Sequence, residues 1–221
     1  AVVLLSLVIV LLFLPDTRPW ALVEAQDEYD TSERIPANVF AHTTYKNPTL
    51  RLFSVGGLIN NANDGILWAL VPVTLLSMDA SLTTIGFLTG IHAASWGLGQ
   101  LFTGPLSNTG NIKTLCASGM ILQSLGLFLF PEGALSVIPY LLIGIGTALV
   151  YPTFLVGISN NSHPVWRPKA LATYRFWRDM GYVFGALTGF AAGALGYPSL
   201  AYSAIALITL RSGISFLLPK D

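Results

Sequence analysis

An all-helical protein embedded in a lipid bilayer is the fold class this sequence predicts, and three observations predict it. Of 221 residues, 53% are hydrophobic and 10% charged, with a mean hydropathy of +0.64, more apolar surface than one soluble core can hide. Apolar runs close to the ~20 residues that span a bilayer recur along the chain. Lys and Arg fall in every second connection between those runs, the pattern that membrane topology imposes.

The elements follow in order. The opening run AVVLLSLVIVLLFL, residues 1–14, stops at Pro15; because it begins at Ala1 inside the apolar stretch, it reads as a truncated transmembrane helix. A secretory signal peptide competes for the same run, but no basic segment precedes it and DTRPWALVEA lacks a small-x-small cleavage site. Residues 15–50 carry Asp16, Glu24, Asp27, Glu28, Asp30 and Glu33 and read as a solvated loop. Six spans are then expected, at about 52–77, 84–107, 114–131, 137–161, 172–195 and 198–218.

Arg18, Arg34, Lys46 and Arg51 precede the first of these spans, Lys113 follows the second, Arg167, Lys169, Arg175 and Arg178 follow the fourth, and Lys220 follows the sixth. The alternate turns SMDASLT, PEGALS and Gly196–Pro198 hold no Lys or Arg. The acidic loop and the carboxyl terminus are therefore expected in the cytoplasm.

Charge and motif narrow the function class. Eleven basic and eleven acidic residues cancel, and no basic-aromatic patch points to nucleic acid. There is no phosphate-cradling glycine loop, nucleophile elbow or metal-ligand spacing, so nucleotide hydrolysis is not expected and neither cofactor nor metal is read; the polar residues concentrate near mid-membrane instead of clustering at one interface, so the reading is not an integral-membrane enzyme. The single Cys116 lies in an apolar run and reads as packing.

Within the six spans a nested pattern emerges. The first contains Asn63, Asp64, Gly65 and Pro72, and the fourth contains Gly144, Gly146 and Pro152, so helix breaks at Pro72 and Pro152 would fall at matching places of two helix triplets. Helix rise of ~1.5 Å per residue puts Asn60 to Asp64 roughly 12–18 Å from the start of their span, near mid-membrane. Asn60, Asp64 and Trp68 are spaced i, i+4, i+8 and are expected on one face. A carboxylate at that depth is costly unless paired, hydrated or protonated, which marks either a solute or ion pathway or a structural hydrogen-bond node. His92, roughly 12 Å into the second span, reads as a proton carrier or as a histidine satisfied by its neighbours, and Gln100 joins it as a further pathway residue.

The segment GQLFTGPLSNTGNIKTL, residues 99–115, resembles the loop signature of the major facilitator superfamily: Gly104, Leu106 and Ser107 match, and Gly110 and Lys113 match loosely. Asn108 stands where that signature has an aspartate, Thr109 where it has a basic residue, and the loop is one residue short. HPVWRPKALATYRFWRDMGYVFGAL, residues 163–187, and NANDG, residues 61–65, are similar to a group of prokaryotic facilitators.

The resemblance implies the carboxyl-terminal six-helix half of a secondary transporter, residues 51–221, preceded by the end of the sixth helix and a cytoplasmic central loop. It implies two inverted three-helix repeats, alternating access about a midplane site, and a prokaryotic plasma or inner membrane. The implied partners are the bilayer, a small-molecule solute, H+ as a candidate coupling ion, and an amino-terminal six-helix half. The fourth span would line the cavity with Tyr151, and Pro152 would free the Ala148 carbonyl for a ligand or water, or simply improve packing.

Arg175, Arg178 and Asp179 would belong to a cytoplasmic gate bridging to Asn108, with Arg175 and Asp179 paired at i, i+4, or would form a solvated, orientation-setting cluster. Neighbouring Tyr174, Phe176, Trp177 and Tyr182 read as an interfacial aromatic belt. The glycines of GYVFGALTGFAAGALG, four of them spaced by four, are expected to pack against the other half of the transporter rather than form a homodimer. A half-size protein that self-associates, or a non-transporting sensor or assembly module, are the alternatives.

Overall fold

The computed structural model describes residues 35–218, together with Leu12, Phe13 and Val23. The expected helix over 1–14, the acidic stretch up to residue 34 and Lys220 otherwise lie outside the described residues. Six long helices follow one another: α1 (Pro48–Ser77), α2 (Leu82–Thr109), α3 (Ile112–Gly133), α4 (Val137–Asn160), α5 (Arg167–Ala194) and α6 (Pro198–Ser215), with no strand among the described residues.

Local chemistry explains where the helices start. Asn47 Oδ1 accepts the N–H groups of Thr49 and Leu50 at 2.9 and 3.0 Å, and Pro48 opens α1 with its φ already helical. Ser81, Asn111 and Ser136 cap α2, α3 and α4 in the same way. Gly196, at φ +78°, supplies the left-handed turn between α5 and α6.

Two boundaries differ from the sequence expectation in ways that matter. Residues 39–46 are not loop: a helical turn, Val39–Ala41, widens into a π-helix, His42–Lys46, and buries Val39, Ala41 and Thr43 against the bundle. Trp177 Nε1 donates to Thr44 Oγ1 at 2.9 Å, and Phe40 packs edge-on against Phe176, which holds the segment to α5. Helix α5 starts at Arg167, five residues earlier than expected, so Arg178 lies three turns inside it.

Neither Pro72 nor Pro152 breaks its helix; α1 and α4 run through them, as α2 and α3 run through Pro105 and Pro131. At Pro152 the reason is visible. The carbonyl of Ala148, freed by the missing N–H, accepts Thr103 Oγ1 from α2 at 2.7 Å, so the lost helical bond is replaced by a bond between helices. Gly144 and Gly146 do not loosen α4 either: a Cβ on Gly144 would meet Ser95 and the His92 carbonyl of α2, and one on Gly146 would meet the Gly119 carbonyl of α3.

The main contacts pair α1 with α5 and α2 with α4, while α3 packs on α4 and α6. The first helix of each triplet thus lies on the second helix of the other. The α1/α5 contact is made by glycine. A Cβ on Gly181 would strike the Leu58 carbonyl, one on Gly185 the Ala62 carbonyl, one on Gly189 Ala69, and reciprocally one on Gly65 the Tyr182 carbonyl at 2.7 Å. This glycine face is therefore spent inside the bundle rather than on another half, because Ala62, Gly65 and Ala69 present a complementary row of small residues.

Two apolar clusters fill the interior. One gathers Leu70, Leu75, Phe130, Tyr140 and Tyr202; the other gathers Phe53, Phe154, Tyr174 and Phe216. Cys116 packs in the second. Between them on α1 lies the polar stretch Asn60 to Asp64.

Candidate functional site in the mid-bundle polar layer

The polar layer divides into two parts with different chemistry. The first is an amide network in which Asn61 Nδ2 is buried without a partner. Gln123 on α3 donates to Asn60 Oδ1 at 2.9 Å and accepts from Asn63 Nδ2 at 2.8 Å, while Thr209 on α6 donates to Asn63 Oδ1 at 2.9 Å and Asn60 donates to Asn61 at 3.0 Å. All five residues are buried. Asn63 is bonded to α3 and α6, whereas Asn60 is bonded to α3 and to Asn61 on its own helix.

The second part is open. Asp64 is 1% exposed, and neither carboxylate oxygen has a hydrogen-bond partner. The nearest charged or chargeable neighbour is His92 on α2, whose Nε2 lies 3.6 Å from Asp64 Oδ1, too long for a hydrogen bond and close enough for an ion pair. Asn60, Asp64 and Trp68 accordingly do not act as one face.

Aromatic residues flank this acid–imidazole pair. Trp68, 58% exposed, stacks on Tyr182 of α5 with centroids 4.9 Å apart and planes at 13°. On the other side Trp96, one turn from His92, meets Tyr151 of α4 at 5.6 Å. Arg178 Nη1 donates to the Tyr151 hydroxyl at 3.0 Å, and its guanidinium lies 5.3 Å from that ring's centroid. A cavity of about 230 Å³ opens between α1 and α2, lined by Trp68, Val71, His92, Trp96 and Tyr140 among others. It exists because α1 and α2 scarcely touch while each is tightly packed on another helix.

The remaining expected site residues are dispersed. Gln100 is half-buried on α2, two turns beyond His92. Gly104, Ser107 and Asn108 lie in the last turns of α2, Ser107 donating to the Gly104 carbonyl at 2.7 Å; Gly110 ends that helix and Lys113 is exposed at the start of α3.

Arg175 is exposed and does not pair with Asp179. Instead Asp179 Oδ1 accepts both Nε and Nη2 of Arg178, at 2.8 and 2.7 Å. Neighbours at i, i+1 normally diverge, but Tyr151 draws Arg178 inward and turns its guanidinium across Asp179. Among the described residues no hydrogen bond or ion pair joins Asn108 to Arg175, Arg178 or Asp179. Of the expected aromatic belt, Tyr174 is core, Phe176 is exposed, Trp177 donates to Thr44, and Tyr182 stacks on Trp68.

Sequence reasoning missed Gln123 and Thr209. A lone amide in the otherwise apolar stretch 114–131 was the available signal for Gln123; Thr209 had none, since a threonine can satisfy itself on its own helix, as this one does with the Ile205 carbonyl at 2.7 Å. Trp96 was also legible, at i+4 from His92 and i−4 from Gln100.

The described residues thus form a helical bundle with a buried acid, a histidine and a cavity in its middle layer. Helices α3 and α4 are each long and apolar enough to cross a bilayer on length and composition. The family model described as Major Facilitator Superfamily matches residues 1–186, and the chain belongs to that superfamily of membrane transporters. No curated protein and no solved structure matches it.

Proposed function

We propose that this chain moves a small solute across the plasma or inner membrane by secondary active, alternating-access transport, coupled to protons through Asp64 and His92. The observation that carries the reading is the Asp64 carboxylate, buried beside a cavity with no hydrogen-bond partner and 3.6 Å from an imidazole on another helix. Buried, unsatisfied acids in membrane segments mark ion pathways by default. A proton taken up by either group alters the contact between α1 and α2, and those helices otherwise barely meet.

In this reading residues 51–221 are the carboxyl-terminal six-helix bundle, residues 1–14 the end of the preceding helix and residues 15–50 the cytoplasmic central loop, with the site completed by an amino-terminal six-helix half. The distribution of Lys and Arg supports a cytoplasmic loop and carboxyl terminus. The exchanged packing of the triplets supports two inverted three-helix repeats, the build of a half that rocks against another six-helix half about a central site.

The test is proteoliposomes holding the full-length protein and an internal pH dye, challenged with a panel of sugars, amino acids and aromatic bases under an imposed pH gradient. A solute that moves protons with wild type should still exchange in Asp64→Asn but no longer accumulate. Full gradient-driven accumulation by Asp64→Asn would end the coupling hypothesis.

A further inference from the structure

A second opening lies away from the polar layer, between the turn Val39–Ala41 and the start of α5. This groove of about 440 Å³ is lined by Ile35, Val39, Phe40, Trp166, Lys169 and Thr173 among others. Its walls are held without a guest. Asn38 Oδ1 accepts the Ala41 N–H at 2.9 Å, and the Phe40 ring packs on Phe176 and Trp177 of α5. Thr173 spends its hydroxyl proton on the Lys169 carbonyl at 2.9 Å. Among the described residues that line the groove Lys169 alone is charged, and no described residue pairs with its ammonium.

The ammonium and the apolar wall sit at different depths. The middle of α5 faces the polar layer of α1: a Cβ on Gly181 would meet Asn61, and one on Gly185 would meet Ala62. Because α5 runs from Arg167 to Ala194, a rise of ~1.5 Å per residue puts Lys169 roughly 17 Å from that middle, past half of the ~30 Å hydrocarbon core. Phe176, against which Phe40 packs, lies roughly 7 Å from the middle, inside the hydrocarbon. The groove therefore starts beside a cation at headgroup depth and leads toward aromatic surface at acyl depth. Its surroundings add positive charge. Lys46, Arg51 and Arg175 are exposed at the same end of the bundle, and the acid described there, Asp179, is engaged by Arg178.

We propose that this groove seats an anionic phospholipid of the cytoplasmic leaflet, its phosphate on the Lys169 ammonium and an acyl chain along Val39 and Phe40. The proposal rests on the orientation reading only for the leaflet, and binding is measured without transport.

Native mass spectrometry of the full-length protein in detergent tests it, with titrations of palmitoyl-oleoyl phosphatidylglycerol, of the phosphatidylcholine with the same chains, and of inorganic phosphate. Phosphatidylglycerol should bind saturably and roughly fivefold tighter than phosphatidylcholine, the preference one interfacial Lys confers, and inorganic phosphate should not compete. Lys169→Gln should remove that preference. Ala172→Trp, which places an indole in the groove from an exposed position, should weaken both lipids. Lys113→Gln, exposed at the same end on α3, should change neither. Thermal unfolding checks that the variants fold.

Equal affinity for the two lipids, or a preference that survives Lys169→Gln, would overturn the proposal. Competition by inorganic phosphate, or unchanged binding in Ala172→Trp, would do so as well, because the acyl chain would then play no part. An absence of saturable lipid binding would assign the groove to another part of the full-length protein. The leaflet is read separately: labelling of Lys113→Cys by an impermeant thiol reagent from outside intact cells would count against the orientation alone.

Discussion

Asn60, Asp64 and Trp68 sit four residues apart, yet Asn60 bonds to α3, Asp64 meets α2 and Trp68 stacks on α5. At 3.6 residues per turn each step of four drifts by about 40°, so the first and last differ by about 80° around α1, enough to reach different neighbours in a crowded bundle. The residues were legible because they are polar in apolar sequence; their partners were not, since spacing within one helix says nothing about what faces it. The division between spent and unspent polar groups is testable. Gln123→Leu strands Asn60 and Asn63 and should cost about 1–3 kcal/mol per stranded group, or nearer the ~0.6 typical of membrane hydrogen bonds if the amides find each other, read by reversible unfolding in bicelles. Asp64→Asn loses the contact with His92 but no hydrogen bond, and should move that unfolding curve less than Gln123→Leu does.

At the scale of the element, the six helices could be read from apolar run length and turn residues, whereas their ends and partners could not. The early start of α5 is not legible in hydropathy because Arg167 and Lys169 are hydrophilic although their backbone is helical. The glycine row of α5 was visible and assigned to the wrong neighbour; Ala62, Gly65 and Ala69 on α1 were the complementary clue. Gly185→Ala drives a methyl into the Ala62 carbonyl and should destabilise the protein by about 1–3 kcal/mol. Gly90→Ala, on α2 with no atom within 4 Å of the new Cβ, should be neutral or stabilising by up to about 1 kcal/mol. Thermal unfolding of the two purified variants in detergent compares a glycine required by contact with one that is not.

For the whole molecule, the polar side-chain contacts that tie the α1/α5 pair to the α2/α4 pair include Asp64 to His92 and Arg178 to Tyr151. They should share the work of holding the pairs in register. Spin labels at Val73→Cys on α1 and Phe87→Cys on α2, both exposed positions, report the separation of the pairs. His92→Ala and Tyr151→Phe should each broaden the distance distribution slightly, and together by more than the sum; strictly additive broadening would mean that the contacts act independently.

The approach of Asp64 to His92 has an electrical meaning as well. Asp64 lies on α1, and His92 lies on α2. A proton handed from Asp64 to His92 would leave α1 an elementary charge more negative and α2 more positive, across a gap of 3.6 Å. At an effective dielectric near 20 that is about 5 kcal/mol of attraction before desolvation is subtracted. The step that relocates the proton would thereby draw the two helices together, and its removal to water would let them part: a charge-operated latch between α1 and α2.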